Sequence, residues 1–222
     1  MKLYLFILMA VAIGAFAVLS IRQDRKRKRL LRAWGRSRGF KVHDGKETGW
    51  DIRCPGFQLF DRGHDRYSTM HLEGDLDGRP VRCVDYRFTT GSGDDAEKHR
   101  YGAVVLDMGT PVIPLQIRRE HAFDRVGEFM GFNDIDFESA EFSRRFHVSS
   151  SDRKWAYDVI HGETMEYLMT LPAEVTVAFG MAEVAVFLPG SLTGHRCQQG
   201  LKIVRALRDL VPAGVLAQLR GE

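Results

Sequence analysis

Eight histidines, three cysteines and a scatter of acids and hydroxyls give this 222-residue sequence several openings for chemistry. Each would require a particular spacing. His161-x-Glu163 matches the opening of a zinc deaminase motif, in which the His binds metal and the Glu moves protons. The Pro-Cys-x-x-Cys that supplies the remaining ligands is absent. Cys54-Pro55 runs in the reverse order and has no second cysteine, so a zinc site would have to be composed from His161, His195 and Cys197. Those residues lack the paired short spacings that usually bring four ligands together. His64-Asp65 with His71 offers two ligands or an acid–base pair, but exposed imidazoles near a first strand need no function. Asp134-x-Asp136-x-Glu138 opens like a calcium loop, yet Ser139 stands at the sixth place and Arg145 at the twelfth. Capping and helix-dipole compensation account better for those acids. Ser151-x-x-Lys154 puts a hydroxyl near an amine without the companion motifs of a Ser–Lys enzyme. Gly91-Ser92-Gly93 is too short to cradle phosphate and reads as a hairpin loop. No nucleotide, dinucleotide, metalloprotease or nucleophile-elbow motif is complete, so no catalytic residue, metal or cofactor is assigned.

The basic residues are more informative. The net charge of +3 is unevenly divided. Arg22, Arg25, Lys26, Arg27, Lys28, Arg29, Arg32, Arg36 and Arg38 face one acid, Asp24, in residues 22–40, a local charge of +8. With Lys2 counted, residues 41–222 carry −6. An acidic body would repel a phosphate backbone, which disfavours nucleic acid as a partner.

Leu3–Ile21 explains where the cations lie. These 19 residues contain no charge. As a helix they span about 28 Å, close to the roughly 30 Å hydrocarbon thickness of a bilayer. The cation cluster that follows is a stop-transfer signal and predicts a retained single-pass anchor with the C-terminal side in the cytoplasm. A cleaved signal peptide is the rival reading, with Ala15-Phe16-Ala17 as a small-x-small site. Its charges would lie before the apolar run, however, and here they lie after it. The expected contacts with anionic headgroups are Arg22, Arg25, Lys26, Arg27, Lys28, Arg29, Arg32 and Trp34, each cation contributing on the order of 1 kcal/mol near the surface. Cys54, Cys83 and Cys197, odd in number and widely spaced, predict free buried thiols.

The elements beyond the arm predict a mixed fold. Alternation over Thr69–Glu73 and Pro80–Thr90, with Asp77-Gly78 between, marks a hairpin, because both turn residues require positive φ. Tyr101–Met108, Ile113–Arg118, Phe146–Val148, Val175–Phe179 and Glu183–Leu188 read as strands. Helices are expected over 121–131, over Phe137–Phe142 with Asp136 as cap, after Ser151 or Asp152, over 162–171, and from Leu201 to Pro212. Hairpins with inserted helices predict an α+β class: a transmembrane helix followed by one soluble domain with a mainly antiparallel sheet and several short helices. The expected organisation is a membrane helix over 1–21, a basic juxtamembrane arm over 22–40, a linker over 41–66 and the domain over 67–222.

Two blocks carry a resemblance. Glu73-Gly74, Asp77-Gly78-Arg79-Pro80-Val81 and Asp85-Tyr86-Arg87-Phe88-Thr89-Thr90 form one. Asp134-Ile135-Asp136-Phe137-Glu138-Ser139, Phe142, Arg144-Arg145-Phe146, Val148 and Ala156-Tyr157-Asp158 form the other. Over residues 68–190 the chain resembles a family of bacterial single-pass membrane-anchored proteins of uncharacterised function. It departs by a short 91–99 loop and by Cys83 where a large hydrophobic residue is usual. The resemblance implies an anchor plus one soluble domain, with no site residues to carry over. The expected function is a domain that binds or scaffolds a partner protein at the cytoplasmic face of the inner membrane. The alternative is a membrane-tethered enzyme without a recognisable motif, a metal-dependent one included.

Overall fold

The computed structural model describes residues 2–119 and 135–221. The side chains of residues 2–7 and 10 are outside that description, and the helix expected over 121–131 also lies outside the described residues. The chain begins with a 36-residue helix, α1 (Lys2–Ser37), and its apolar and basic halves are continuous. Then come β1 (Lys41–Glu47), α2 (Trp50–Arg53), α3 (Gln58–Asp61), β2 (His64–Leu76), β3 (Arg79–Thr90), β4 (Glu97–Asp107) and β5 (Leu115–Arg119). The remainder is α4 (Ala140–Arg145), β6 (Phe146–Ser150), α5 (Arg153–Val159), α6 (Gly162–Thr170), β7 (Thr176–Phe179), β8 (Glu183–Pro189), α7 (Gly194–Leu210) and α8 (Ala213–Arg220). The eight strands form one sheet in the order β1-β2-β3-β4-β8-β7-β5-β6. Every pairing is antiparallel, so the fold is α+β.

Local chemistry explains most of these boundaries. Asp77 (φ 54°) and Gly78 (φ 77°) make the expected two-residue turn between β2 and β3, whose pairing runs from Leu76↔Arg79 to His64↔Thr89 with irregularities between Ser68 and His71 and between His64 and Tyr67. Asp152 caps α5 by accepting from the Trp155 N–H at 3.0 Å. The cap of α4 is Ser139, not Asp136, with its hydroxyl 3.3 Å from the Phe142 N–H. Pro212 ends α7 and begins α8, a helix the periodicity did not suggest.

Both faces of the sheet are covered. Val81 and Cys83 of β3, Val104 and Leu106 of β4, and Val184, Val186 and Leu188 of β8 join a large core with Leu31 of α1 and Cys197, Val204 and Leu207 of α7. The alternate positions, Val84, Tyr86, Phe88, Tyr101, Ala103, Ala185 and Phe187, join Trp50, Cys54, Phe57, Leu59 and Phe60 on the opposite side. Gly200 lets α7 lie close to the sheet, since a Cβ there would sit 2.5 Å from Val104 Cγ2. The continuous burial of Tyr101–Leu106 follows from this double cover.

The second cover corrects the expectation of a linker over 41–66. That stretch supplies edge strand β1 and helices α2 and α3, and Trp50, Phe57 and Phe60 are almost wholly buried. The short glycine-punctuated segments carry too little periodicity to announce themselves, but their aromatic side chains are core.

Candidate functional site

The basic half of α1 is divided between two faces. A helix advances 100° per residue, so positions 24, 27, 28, 31, 34 and 35 share one side. That side is docked. Leu31 is fully buried in the larger core, and a Cβ at Gly35 would collide with Leu72. Trp34 packs against Phe40 with ring centroids 5.7 Å apart. Asp85 anchors the contact. It lies on β3 two residues after Cys83, facing α1, and its side chain is 1% exposed. Its Oδ2 accepts from Arg27 Nη2 at 2.9 Å and Thr69 Oγ1 at 2.6 Å, while Oδ1 accepts from the Leu192 N–H at 2.9 Å. Arg27 also donates to the Leu192 carbonyl at 2.6 Å and to Asp24 at 2.8 Å. Burial works against charge on Arg27, but Asp85 and Asp24 outweigh it and hold the guanidinium more basic than usual. Burial would likewise raise Asp24, yet Arg27, Lys28 and Arg87 hold its carboxyl below the ordinary range.

The other side of α1 is free of the domain. Arg22, Arg25, Lys26, Arg29 and Arg36 are exposed and lie on the face opposite Leu31. The eight residues assigned to the membrane surface are therefore not equivalent. Arg22, Arg25, Lys26 and Arg29 form an open basic stripe. Arg27 and Trp34 belong to the domain contact, Lys28 lies 3.8 Å from Asp24, and Arg32 pairs with Asp44 on β1 at 2.6 Å. The arm is a docked helix and does not lie along a surface for its whole length.

N-terminal to this contact, every described side chain from Leu8 to Ile21 is exposed. Leu8, Met9, Val11, Ile13, Phe16, Val18, Leu19 and Ile21 are each at least 49% exposed, and at 100° per residue they surround the helix. Among the residues whose side chains are described, which leave out 2–7 and 10, no helix is long and apolar enough to cross a membrane.

The other candidate residues are scattered. His161 precedes α6 and lies 2.9 Å from the Leu210 carbonyl. Leu210 is 13 residues along α7 from buried Cys197, or about 20 Å. His195 is exposed. The composite zinc site therefore does not form. His64 and Asp65 are exposed and lie seven and six residues from His71 along β2. Lys154 pairs with Asp158 at 2.6 Å, Asp136 and Glu138 are exposed, and Asp134 is outside the described residues. Cys54, Cys83 and Cys197 are free and buried, as expected. Burial pushes Cys54 up to about 12, with Glu183 adding to the effect, so it is no thiolate nucleophile at neutral pH.

One cluster was not anticipated. His43 on β1 is the cross-strand partner of His71 on β2. Their rings stack at 4.4 Å and 2°, and Glu73 approaches both. His43 stands in no local motif that would mark it. Its pairing with His71 depends on a register across the 41–66 stretch, which no local pattern encodes.

No family model and no curated protein matches the chain. Among solved structures it is similar to the mycobacterial trehalose monomycolate transport factor A, TtfA, with a TM-score of 0.60 and 16% sequence identity. The match covers 82% of this chain and 92% of that one. At this identity the likeness establishes the fold.

Proposed function

We propose that this chain is a membrane-anchored adaptor, in which α1 carries the α+β domain at the cytoplasmic face of the inner membrane and the domain binds a partner protein. The observation that carries the reading is the all-round apolar surface of α1 from Leu8 to Ile21, for which the domain offers no cover. Fully burying a Leu-sized side chain contributes about 1.5–3 kcal/mol, so eight of them favour an apolar environment by more than ~10 kcal/mol. The uncharged run Leu3–Ile21 matches bilayer thickness. The stripe of Arg22, Arg25, Lys26 and Arg29 then falls within about 12 Å of the end of that run, near anionic headgroups.

A helix docked through Leu31, Gly35 and Asp85 holds the domain near the bilayer with little freedom. That suits presentation of a fixed surface better than a long-range tether. The exposed large apolar side chains of the domain, Ile52, Tyr157 and Met181, are the contact candidates. Ile52 and Met181 are close in the fold, because the Met181 N–H donates to the Pro55 carbonyl at 3.1 Å.

Photo-crosslinking residues at Ile52, Tyr157 and Met181 of the full chain in cells test the proposal. A discrete adduct with a membrane protein, lost when the crosslinker is moved to exposed Lys98, is expected. Absence of adducts from all three positions would remove the adaptor reading.

A further inference from the structure

We propose that His43, His71 and Glu73 form a binding site for a divalent transition-metal ion of the zinc class, with Glu47 positioning His71. The backbone brings these residues together. Antiparallel pairing sets His43 opposite His71, and Glu73, two residues along β2, shares their face. One donor atom from each of the three lies within 4.8 Å of the others. Glu73 spans the pair, with Oε2 3.3 Å from His43 Nε2 and Oε1 3.6 Å from His71 Nε2. The stacked rings hold their lone pairs in parallel planes, so exposed His43 must turn out of the stack to share an ion with His71 and Glu73.

The support behind His71 is what distinguishes this cluster from an incidental surface pair. Its side chain is 4% exposed, and Glu47 Oε2 lies 2.9 Å from Nδ1. A carboxylate on that nitrogen fixes the proton there and leaves the Nε2 lone pair directed at Glu73, the second-sphere arrangement common to metal-bound histidines. Glu47 is balanced in turn by an ion pair with Arg53. The edge of Trp50, with centroids 5.1 Å apart at 75°, fixes the ring plane.

Two imidazoles and a carboxylate suit zinc better than calcium or magnesium, and three protein donors leave a fourth position open. His43 and Glu73 keep that position accessible, their side chains being 46% and 40% exposed. Neither the anchor nor the adaptor reading is needed for this site.

Zinc titration of the chelator-stripped full chain in detergent, followed by calorimetry, tests it. We expect one zinc ion per chain with a dissociation constant in the micromolar range or tighter. His43→Ala and Glu73→Gln should each weaken binding at least tenfold, and Glu47→Gln by about 10–100-fold, the usual cost of losing a second-sphere partner. Because exposed His43 is not part of the core, its variant should keep the wild-type circular dichroism. Zinc should raise the unfolding midpoint of the wild type and not that of His43→Ala. No stoichiometric uptake, wild-type affinity in His43→Ala, or loss of binding on replacing His64 and His195 instead would each overturn the site.

Discussion

Asp85 illustrates why a charge is tolerated inside this core. Its two oxygens take three strong donors from α1, β2 and the segment before α7, so the carboxylate replaces hydration with fixed partners. Removing it would leave the Leu192 N–H without its acceptor and take from the Arg27 guanidinium its buried carboxylate partner, leaving Asp24. Asp85→Ala should therefore destabilise the chain by about 3–5 kcal/mol in denaturant titration, the cost of breaking one side of a buried pair. Arg27 is 14% exposed at its side chain, so Arg27→Ala should cost less. A second residue-scale prediction concerns pH. Burial holds both His71 and His99 below the ordinary histidine range, against Glu47 and Glu97 respectively. An unfolded histidine protonates near pH 6.5, before either folded one, so stability is fully present above that pH and is lost as pH falls below it. Thermal unfolding midpoints at pH 7.5 and 5.5 should show the drop, and His71→Asn should reduce it.

At the scale of elements, α1 joins an exposed apolar half and a docked basic half in one continuous helix. The division was half legible. The apolar run and the cation cluster stand out in composition, and their order suggests an anchor. What composition conceals is that Asp24, Arg27, Leu31, Trp34 and Gly35 recur at helical spacing, which turns a basic arm into a docked helix. Leu31→Ala tests the docking. It should cost about 2–5 kcal/mol, as for other fully buried leucines, and hasten proteolysis near Gly39. An effect below about 1 kcal/mol would mean that the helix and domain are separable.

For the molecule as a whole, strong local signals were readable and weak ones were not. The Asp77-Gly78 turn, the apolar alternation of β3 and the buried run of β4 each specify their element within a few residues. The strand β1 and helices α2 and α3 are short, and their stability comes from packing on the sheet. Residues 41–66 therefore read as linker while supplying five of the fourteen residues of the second core and, through His43 and Glu47, the cluster around His71. The candidate site was hidden for the same reason, because it depends on a strand pairing between residues 28 positions apart.

The proposed arrangement is a domain fixed to a bilayer-spanning helix on its cytoplasmic side. The native cysteines are buried and make poor reporters, whereas Ile52 is 81% exposed. Ile52→Cys in the full chain, probed in spheroplasts with a membrane-impermeant thiol reagent, measures the arrangement directly. The protein should fractionate with membranes and take up label only after lysis. Labelling in intact spheroplasts, or recovery of the full chain in the soluble fraction, would contradict it.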